Sequence, residues 1–175
     1  MNKTKGFTLI ESVIYSFVFV IVTIILTLFI FSLIKAQTKT RINKEVLDNS
    51  QRAMEIMILE IKHAKNIYNS TSFFDNHPGQ LSLETNKDKP NNEESIYVDF
   101  YLDENSRLCL KKEGEEATPL TSEKIKINNL IFNYLVSTST KSIKIELSAT
   151  YNSSNEKNIY QATTTLISSA NLRND

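Results

Sequence analysis

An uncharged, strongly apolar run from Ser12 to Ile34 places the tightest constraint on how this chain folds. At about 1.5 Å per residue, a helix of these 23 residues is roughly 35 Å long, enough to cross a membrane's hydrocarbon core. A secretory signal is the alternative, but its apolar region is typically about 7 to 15 residues and ends in a small-residue cleavage site. This run is longer and continues into Lys35-Ala36-Gln37. We therefore expect a transmembrane helix.

One carboxylate, that of Glu11, stands at the start of the apolar run. A carboxylate at the edge of a membrane helix is costly and calls for a specific reason. Thr8 precedes Glu11 by three residues, which is the spacing of a capping box at a helix N-terminus. Helix capping is one interpretation of Glu11 and pairing with a cation is another, and the two roles are not exclusive.

The residues from Lys5 to Glu11 read Lys-Gly-Phe-Thr-Leu-Ile-Glu, which resembles the N-terminus of type IV prepilins and type II secretion pseudopilins. In that family a membrane peptidase cuts after the glycine and methylates the new N-terminus. The resemblance implies cleavage after Gly6, methylation of Phe7, and pairing of Glu11 with the N-terminus of an adjacent subunit during assembly. It also implies that the peptidase recognises Lys5, Gly6, Phe7, Thr8 and Leu9.

The same resemblance implies a location and a set of partners. The protein is expected to cross the cytoplasmic (inner) membrane once, with its N-terminus cytoplasmic, and then to enter a cell-surface filament or pseudopilus. Its implied partners are the prepilin peptidase, other major and minor pilins or pseudopilins, the inner-membrane assembly platform and membrane lipid. Counting Lys and Arg does not by itself favour this orientation, because Lys3 and Lys5 on one side are matched by Lys35, Lys39, Arg41 and Lys44 on the other.

Beyond Ile34 the chain becomes amphipathic and contains no proline or glycine before Tyr68. Apolar residues recur at three- and four-residue steps, as on one helix face: Leu47, Met54, Met57, Ile58, Ile61, Ala64 and Tyr68. This pattern predicts one helix of about 60 residues, roughly 90 Å long. The predicted segments are a leader (1–6), a transmembrane and assembly segment (7–34), an amphipathic continuation of the helix (35–68) and a β-rich head (69–175).

The pattern after the helix predicts strands. Residues 69–95 are polar and turn-rich, with one short strand around Leu81 and Leu83. Alternating apolar residues in 96–102 and 107–111 flank a polar turn and predict a hairpin. Further strands are predicted at 125–135, with a bend, and at 142–151 and 159–168. The expected class is α+β, a long N-terminal helix packed on a mostly antiparallel sheet, as in pilins.

The sequence contains no recognisable motif for catalysis, for a metal or for a cofactor. Cys109 lies in an alternating apolar segment and is expected to be buried, and the two histidines, His63 and His77, are expected to be exposed. The acidic clusters at 103–104 and 113–116 miss the EF-hand spacing, and polar turns explain them without calcium. Zero formal net charge gives no global basic surface for nucleic acid. The protein is therefore not expected to be an enzyme, and no direct nucleic-acid site is evident.

The expected function is that of a minor pilin or pseudopilin in a type IV pilus, a competence pilus or a type II secretion pseudopilus, with a priming or tip role. Major pilins often carry a proline midway through the apolar helix, and none occurs here. The chain loosely resembles pseudopilin J and its competence-pilus counterparts, at Arg52-Ala53 and at Leu172-Arg173-Asn174. The alternative is a bitopic, membrane-anchored binding domain that keeps residues 1–6. A membrane-tethered hydrolase is disfavoured because no catalytic site is recognisable.

Overall fold

The computed structural model describes residues 8–87, 89–90, 93–137, 140–153 and 161–173. Its first element is a helix of 55 residues, α1 (Leu9–His63), whose sequence contains neither glycine nor proline. Since these two residues are the strongest helix breakers, their absence allows the helix to run uninterrupted. The chain forms two compact units, Met1–Thr40 and Arg41–Asp175, and α1 contributes to both.

Within the second unit, α1 buries one face. The buried positions recur mostly at three- and four-residue steps and are Ile42, Val46, Ser50, Ala53, Met54, Met57, Glu60 and Ile61. Its two polar members have partners, because Ser50 Oγ donates to the Val46 carbonyl at 2.8 Å and Glu60 pairs with Lys87 at 3.6 Å. The predicted amphipathic helix is confirmed over this range. Leu47, predicted on the same face, is instead exposed.

The helix ends at His63 and not near Tyr68, so this part of the prediction was wrong. Ala64–Ile67 forms strand β1, which pairs antiparallel with β2 (Leu81–Thr85). The Thr85 hydroxyl donates to the His63 carbonyl oxygen at 3.2 Å and so satisfies one of the last carbonyls of the helix. The helical spacing does continue through Tyr68 in the sequence. The pairing with β2, a contact distant along the chain, outweighs it.

The first sheet contains five antiparallel strands in the order β1-β2-β3-β4-β5. It is completed by β3 (Ile96–Leu102), β4 (Leu108–Lys112) and β5 (Thr118–Pro119). The predicted hairpin is confirmed as the β3–β4 pair. At its turn, the Ser106 N–H donates to the Asp103 carbonyl at 2.9 Å, and Ser106 adopts a left-handed φ of 59°.

The second sheet contains three antiparallel strands in the order β6-β7-β8: β6 (Ile125–Val136), β7 (Lys141–Tyr151) and β8 (Thr163–Asn171). The predicted bend in β6 is confirmed as a register shift between Ile127 and Asn129. The last strand was predicted at 159–168, but it begins at Thr163 and extends to Asn171; positions 159–160 lie outside the described residues. The expected single sheet is divided in two, since β5 is very short and ends at Pro119, which lacks the N–H needed to extend a ladder.

The buried face of α1 and both sheets contribute to one hydrophobic core. Met57 and Ile61 of α1, Phe100 of β3, and Phe132 and Ile145 of β6 and β7 are all almost completely buried within it. The second half of the helix is therefore packed on antiparallel sheets, and the predicted α+β class is confirmed at this level.

The outer edge of β6 is covered by the loop that precedes β2. The N–H groups of Asp75 and Gly79 donate to the carbonyl oxygens of Phe132 and Leu130, both at 2.9 Å. A Cβ on Gly79 would lie 2.9 Å from the Leu130 carbonyl oxygen, closer than Cβ atoms come to other atoms in proteins. Only glycine fits this close approach of loop and strand without a shift of backbone.

Substituting Met57 tests the packing of α1 in the core. Met57 is completely buried, so Met57→Ala should lower the free energy of unfolding of the second unit by about 2–5 kcal/mol. Leu59→Ala is the matched control on the same helix, because the Leu59 side chain is 47% exposed. Near-ultraviolet circular dichroism of the full chain in detergent, followed during denaturation, measures both values. Equal losses for the two variants would contradict the assigned core face.

Candidate functional site: the N-terminal turn of the long helix

A reciprocal pair of side-chain bonds closes the N-terminus of α1. The Thr8 N–H and the Thr8 hydroxyl both donate to Glu11 Oε2, at 3.1 and 3.0 Å, and the Glu11 N–H donates to the Thr8 hydroxyl oxygen at 3.4 Å. Since α1 begins at Leu9, Thr8 is the cap residue and Glu11 the third residue of the helix. The capping box predicted from the spacing of Thr8 and Glu11 is confirmed.

The capping box uses only one of the two oxygens of the Glu11 carboxylate. Only Oε2 of Glu11 takes part in the bonds with Thr8, and among the described residues no partner of Oε1 is found. Both side chains are exposed on the surface of the chain. The carboxylate also lies in the first turn, where the helix dipole favours a negative charge. Glu11 can therefore cap its own helix through one oxygen and accept a cationic partner through the other.

The structure describes some of the other positions predicted for processing and not the rest. Thr8 and Leu9 are described, and the Leu9 side chain is 85% exposed. Lys5, Gly6 and Phe7 lie outside the described residues. Cleavage after Gly6 and methylation of Phe7 therefore stay predictions from the sequence.

The apolar stretch that follows Glu11 has the length and composition of a membrane span. Of the helices in the described part of the chain, α1 alone qualifies, with a mean hydropathy of 3.1 in its most apolar window of 18 residues. No residue of that window is buried inside the protein. The large apolar side chains from Leu9 to Ile34 are all at least 41% exposed. A surface of this kind is stable against lipid or against other apolar helices, and not against water.

Two hydroxyl groups within the stretch bond to the helix itself. Thr23 Oγ1 donates to the Phe19 carbonyl and Thr27 Oγ1 donates to the Thr23 carbonyl, both at 2.8 Å. Hydroxyls in a membrane helix can bond back to helix carbonyls or to a neighbouring helix, and these two do the first. Thr23 and Thr27 therefore need no polar partner on a neighbouring helix.

The β3–β4 turn of the second unit carries a tightly bonded carboxylate. Asp103 Oδ1 accepts from the N–H groups of Asn105 and Arg107, and Asp103 Oδ2 accepts from Arg107 Nε at 2.7 Å. Burial acts to raise the Asp103 pKa, but the backbone and guanidinium hydrogen bonds from Arg107 outweigh it and hold this pKa below its ordinary value of 3.8. The carboxylate is used to fix the hairpin turn.

Beside this turn lies a polar groove of about 530 Å³, lined by Glu104, Asn105, Ser106, Arg107, Glu123, Lys126 and Asn152. Its charges are of both signs, and Arg107 reaches Glu123 across it at 3.8 Å. The groove thus offers hydrogen bonds and charges of both signs to a ligand.

The residues considered for nucleophilic or metal chemistry have structural roles. Cys109 is buried as predicted, and burial raises the pKa of its thiol above the ordinary value of 9.0, so the thiol is protonated at neutral pH. His63 Nδ1 lies 2.8 Å from the Leu59 carbonyl, and both histidine side chains are exposed. Within the described ranges, no three His, Cys, Asp or Glu side chains are grouped so that they could hold a metal ion.

One contact was missed by the sequence reasoning. The Leu130 N–H donates to His77 Nδ1 at 3.1 Å, so His77 helps to cover the edge of β6. The two residues are 53 positions apart, and His77 lies in a polar loop that carries no strand pattern. No local signal in the sequence indicates this bond.

Comparison of the chain with protein-family models, with curated proteins and with solved structures found no match in any of the three. Function is therefore inferred from the chain's own residues and from the resemblance of its N-terminal motif.

The Asp103 contacts predict a specific pH dependence of stability. Because the folded-state pKa of Asp103 is lowered, its stabilisation is fully present above pH 3.8 and is lost as the pH falls through the folded-state value. Asp103→Asn keeps an acceptor for the two N–H groups but loses the charge, and should cost about 1 kcal/mol at neutral pH and nothing in strong acid. Thermal unfolding of the full chain in detergent, measured against pH, gives both quantities.

The control is Glu104→Gln, which removes a charge from an exposed side chain on the same turn. It should leave the unfolding temperature within error of the parent protein at every pH. A cost of Asp103→Asn that persists undiminished in strong acid would contradict the assigned role of the charge.

Proposed function

We propose that this chain is a minor pilin or pseudopilin, cut by a prepilin peptidase after Gly6 and assembled into a type IV pilus, a competence pilus or a type II secretion pseudopilus. The observation that carries the proposal is the exposed Glu11 carboxylate, which is the only charge between Thr8 and Ile34 and directly precedes an uncharged, membrane-length segment of the helix. The resemblance of residues 5–12 to prepilins supplies the expected processing and the expected filament.

Electrostatics supports a cationic partner for Glu11. A carboxylate at the edge of lipid is costly, and capping by Thr8 provides neutral hydrogen bonds without a compensating charge. Cleavage after Gly6 would create an α-ammonium group on Phe7, also at the edge of lipid. The two ions neutralise one another when the Phe7 amine of one subunit meets Glu11 of the next. The uncommitted Oε1 lets this pairing proceed while the capping box stays closed.

The apolar segment supports assembly in a second way. Its side chains are exposed over the whole range from Leu9 to Ile34, so the chain itself buries none of them. Before assembly, lipid covers this surface. In a filament, the equivalent helices of neighbouring subunits cover it, and dispersion contacts replace those with lipid. The same segment thus serves first as a membrane anchor and then as a packing surface.

One observation favours the alternative, a membrane-anchored binding domain that is not assembled into a filament. The polar groove beside the β3–β4 turn has room for a small polar ligand, and Arg107 and Lys126 supply positive charge within it. This alternative explains the anchor but assigns no role to Glu11 beyond capping. The minor-subunit proposal accounts for the anchor and for the Glu11 carboxylate, and is the one we adopt.

Two substitutions of Glu11 separate its charge from its capping role. Glu11→Gln removes the charge but keeps an acceptor suited to a capping box, whereas Glu11→Val removes both. If the carboxylate pairs with a subunit N-terminus, both variants should lose roughly 100-fold or more in filament incorporation, since removing one member of a buried ion pair costs about 3–5 kcal/mol. Incorporation is measured by quantitative immunoblotting of sheared filaments against membranes.

The matched control is Ser12→Ala, one residue further along the helix, which should be incorporated normally. Membrane insertion and processing of every variant are checked by fractionation and by intact mass. Normal incorporation of Glu11→Gln would contradict the charge-pairing role and leave capping as the only function of Glu11.

A further inference from the structure

The outer edge of β8 presents a continuous row of backbone groups. The Leu172 N–H donates to the Lys141 carbonyl and the Tyr151 N–H to the Ala162 carbonyl, and the register of β7 with β8 is unbroken between them. Even-numbered residues of β8 therefore bond to β7, because hydrogen-bonded pairs alternate along an antiparallel ladder. The odd-numbered residues point their N–H and C=O groups away from β7: Thr163, Thr165, Ile167, Ser169 and Asn171.

The other sheet edges in the described part of the chain are short, irregular or covered. β1 has four residues and a register shift, and β5 has two residues and ends at Pro119. The edge of β6 is bonded by the loop that contains Asp75 and Gly79. Short strands, bulges, prolines and covering loops are the usual protections against strand addition.

Over the residues that the structure describes, β8 has none of these protections. The strand is nine residues long, contains neither charge nor proline, and keeps one register along its whole pairing with β7. Among the described residues, no backbone group bonds to its outer edge. The Ile167 side chain, in the middle of the odd-numbered row, is 61% exposed. A long, regular, uncharged edge of this kind is a template for another strand.

We propose that β8 is an interaction edge, to which a neighbouring filament subunit other than this chain adds an uncharged strand. The inference rests on the proposed function, which places such subunits beside this one. The odd-numbered row of β8 contains only Thr, Ile, Ser and Asn side chains. The nearest charges in the adjoining row of β7, Lys144 and Glu146, already pair with each other at 2.6 Å. A charged strand would find no free counter-charge in these two rows.

Under the proposed function this chain is a minor subunit, so its neighbours in a filament are other subunits and a second copy is not the expected donor. Of the other sheet edges, β1 and β5 are too short to match a nine-residue edge.

Membrane anchoring also makes a neighbouring subunit a better donor than a free protein. One added strand buries much less surface than the roughly 1,200 Å² of a stable standard interface. A donor held in the same membrane or filament binds at a high effective concentration, which compensates for a small contact. The edge strand would then fix the order of subunits, while the apolar helices supply most of the contact.

Blocking the edge tests the proposal. Ile167→Pro removes an outward-facing N–H and no bond to β7, so the fold should persist, since proline is tolerated on an edge strand. Ile167→Thr is the matched control, because it keeps the N–H and a β-branched side chain. With Glu11 intact, Ile167→Pro should lower filament incorporation roughly ten-fold and Ile167→Thr should not. Circular dichroism of the full chain in detergent checks that both variants are folded.

The outcomes separate this inference from the proposed function. Normal incorporation of a folded Ile167→Pro variant would overturn the edge contact and leave the minor-subunit proposal standing. A parent protein that never enters a filament would overturn both.

Photo-crosslinking identifies the donor. With benzoylphenylalanine in place of Ile167 in the native host, mass spectrometry of the adduct should identify an uncharged, extended segment of a different membrane-anchored subunit. The matched probe at Glu104, on an exposed turn, should not give this adduct. An adduct between two copies of this chain, or the absence of any protein adduct at position 167, would overturn the proposal.

Discussion

The buried face of α1 between Ile42 and Ile61 is the contact on which the rest of the second unit depends. Neither sheet is large enough to form a core by itself, since one has three strands and the other has five, of which two are very short. Both direct apolar side chains into one cluster with this helix face. The helix is thus the element that both sheets share. Strand β1 follows directly where the helix ends at His63, and its sheet partner β2 contacts the helix end through Thr85.

The same helix has a very different surface before this face begins. From Leu9 to Ile34 its side chains are apolar and exposed in all directions, and the only charge in that range is that of Glu11. The Glu11 carboxylate accepts two hydrogen bonds from Thr8, and these bring no positive charge to it. Under the proposed function, the N-terminal amine of an adjacent subunit supplies the opposite charge. The outer edge of β8 is proposed as a second contact of a different kind.

Much of the fold could be predicted because its signals are local. The apolar run, the spacing of Thr8 and Glu11 and the alternation on either side of Asp103 are each contained in one continuous segment of the sequence. The structure has the helix, the capping box and the hairpin that these three patterns predict. The end of the helix at His63, the division into two sheets and the bond of His77 to Leu130 depend on residues far apart in sequence. No local pattern contains that information. The outer edge of β8 could not be predicted from the sequence either, because it depends on which strands pair and not on the strand itself.

The mass of the mature N-terminus shows whether the chain is cut after Gly6 and methylated. The protein is isolated from the membranes of its native host and the N-terminal peptide is examined by mass spectrometry. A chain that begins at N-methylated Phe7 is the predicted result, because it places a charged amine where Glu11 of the next subunit can meet it. A chain that retains residues 1–6 in the presence of the native peptidase would contradict the account and favour a simple membrane-anchored domain.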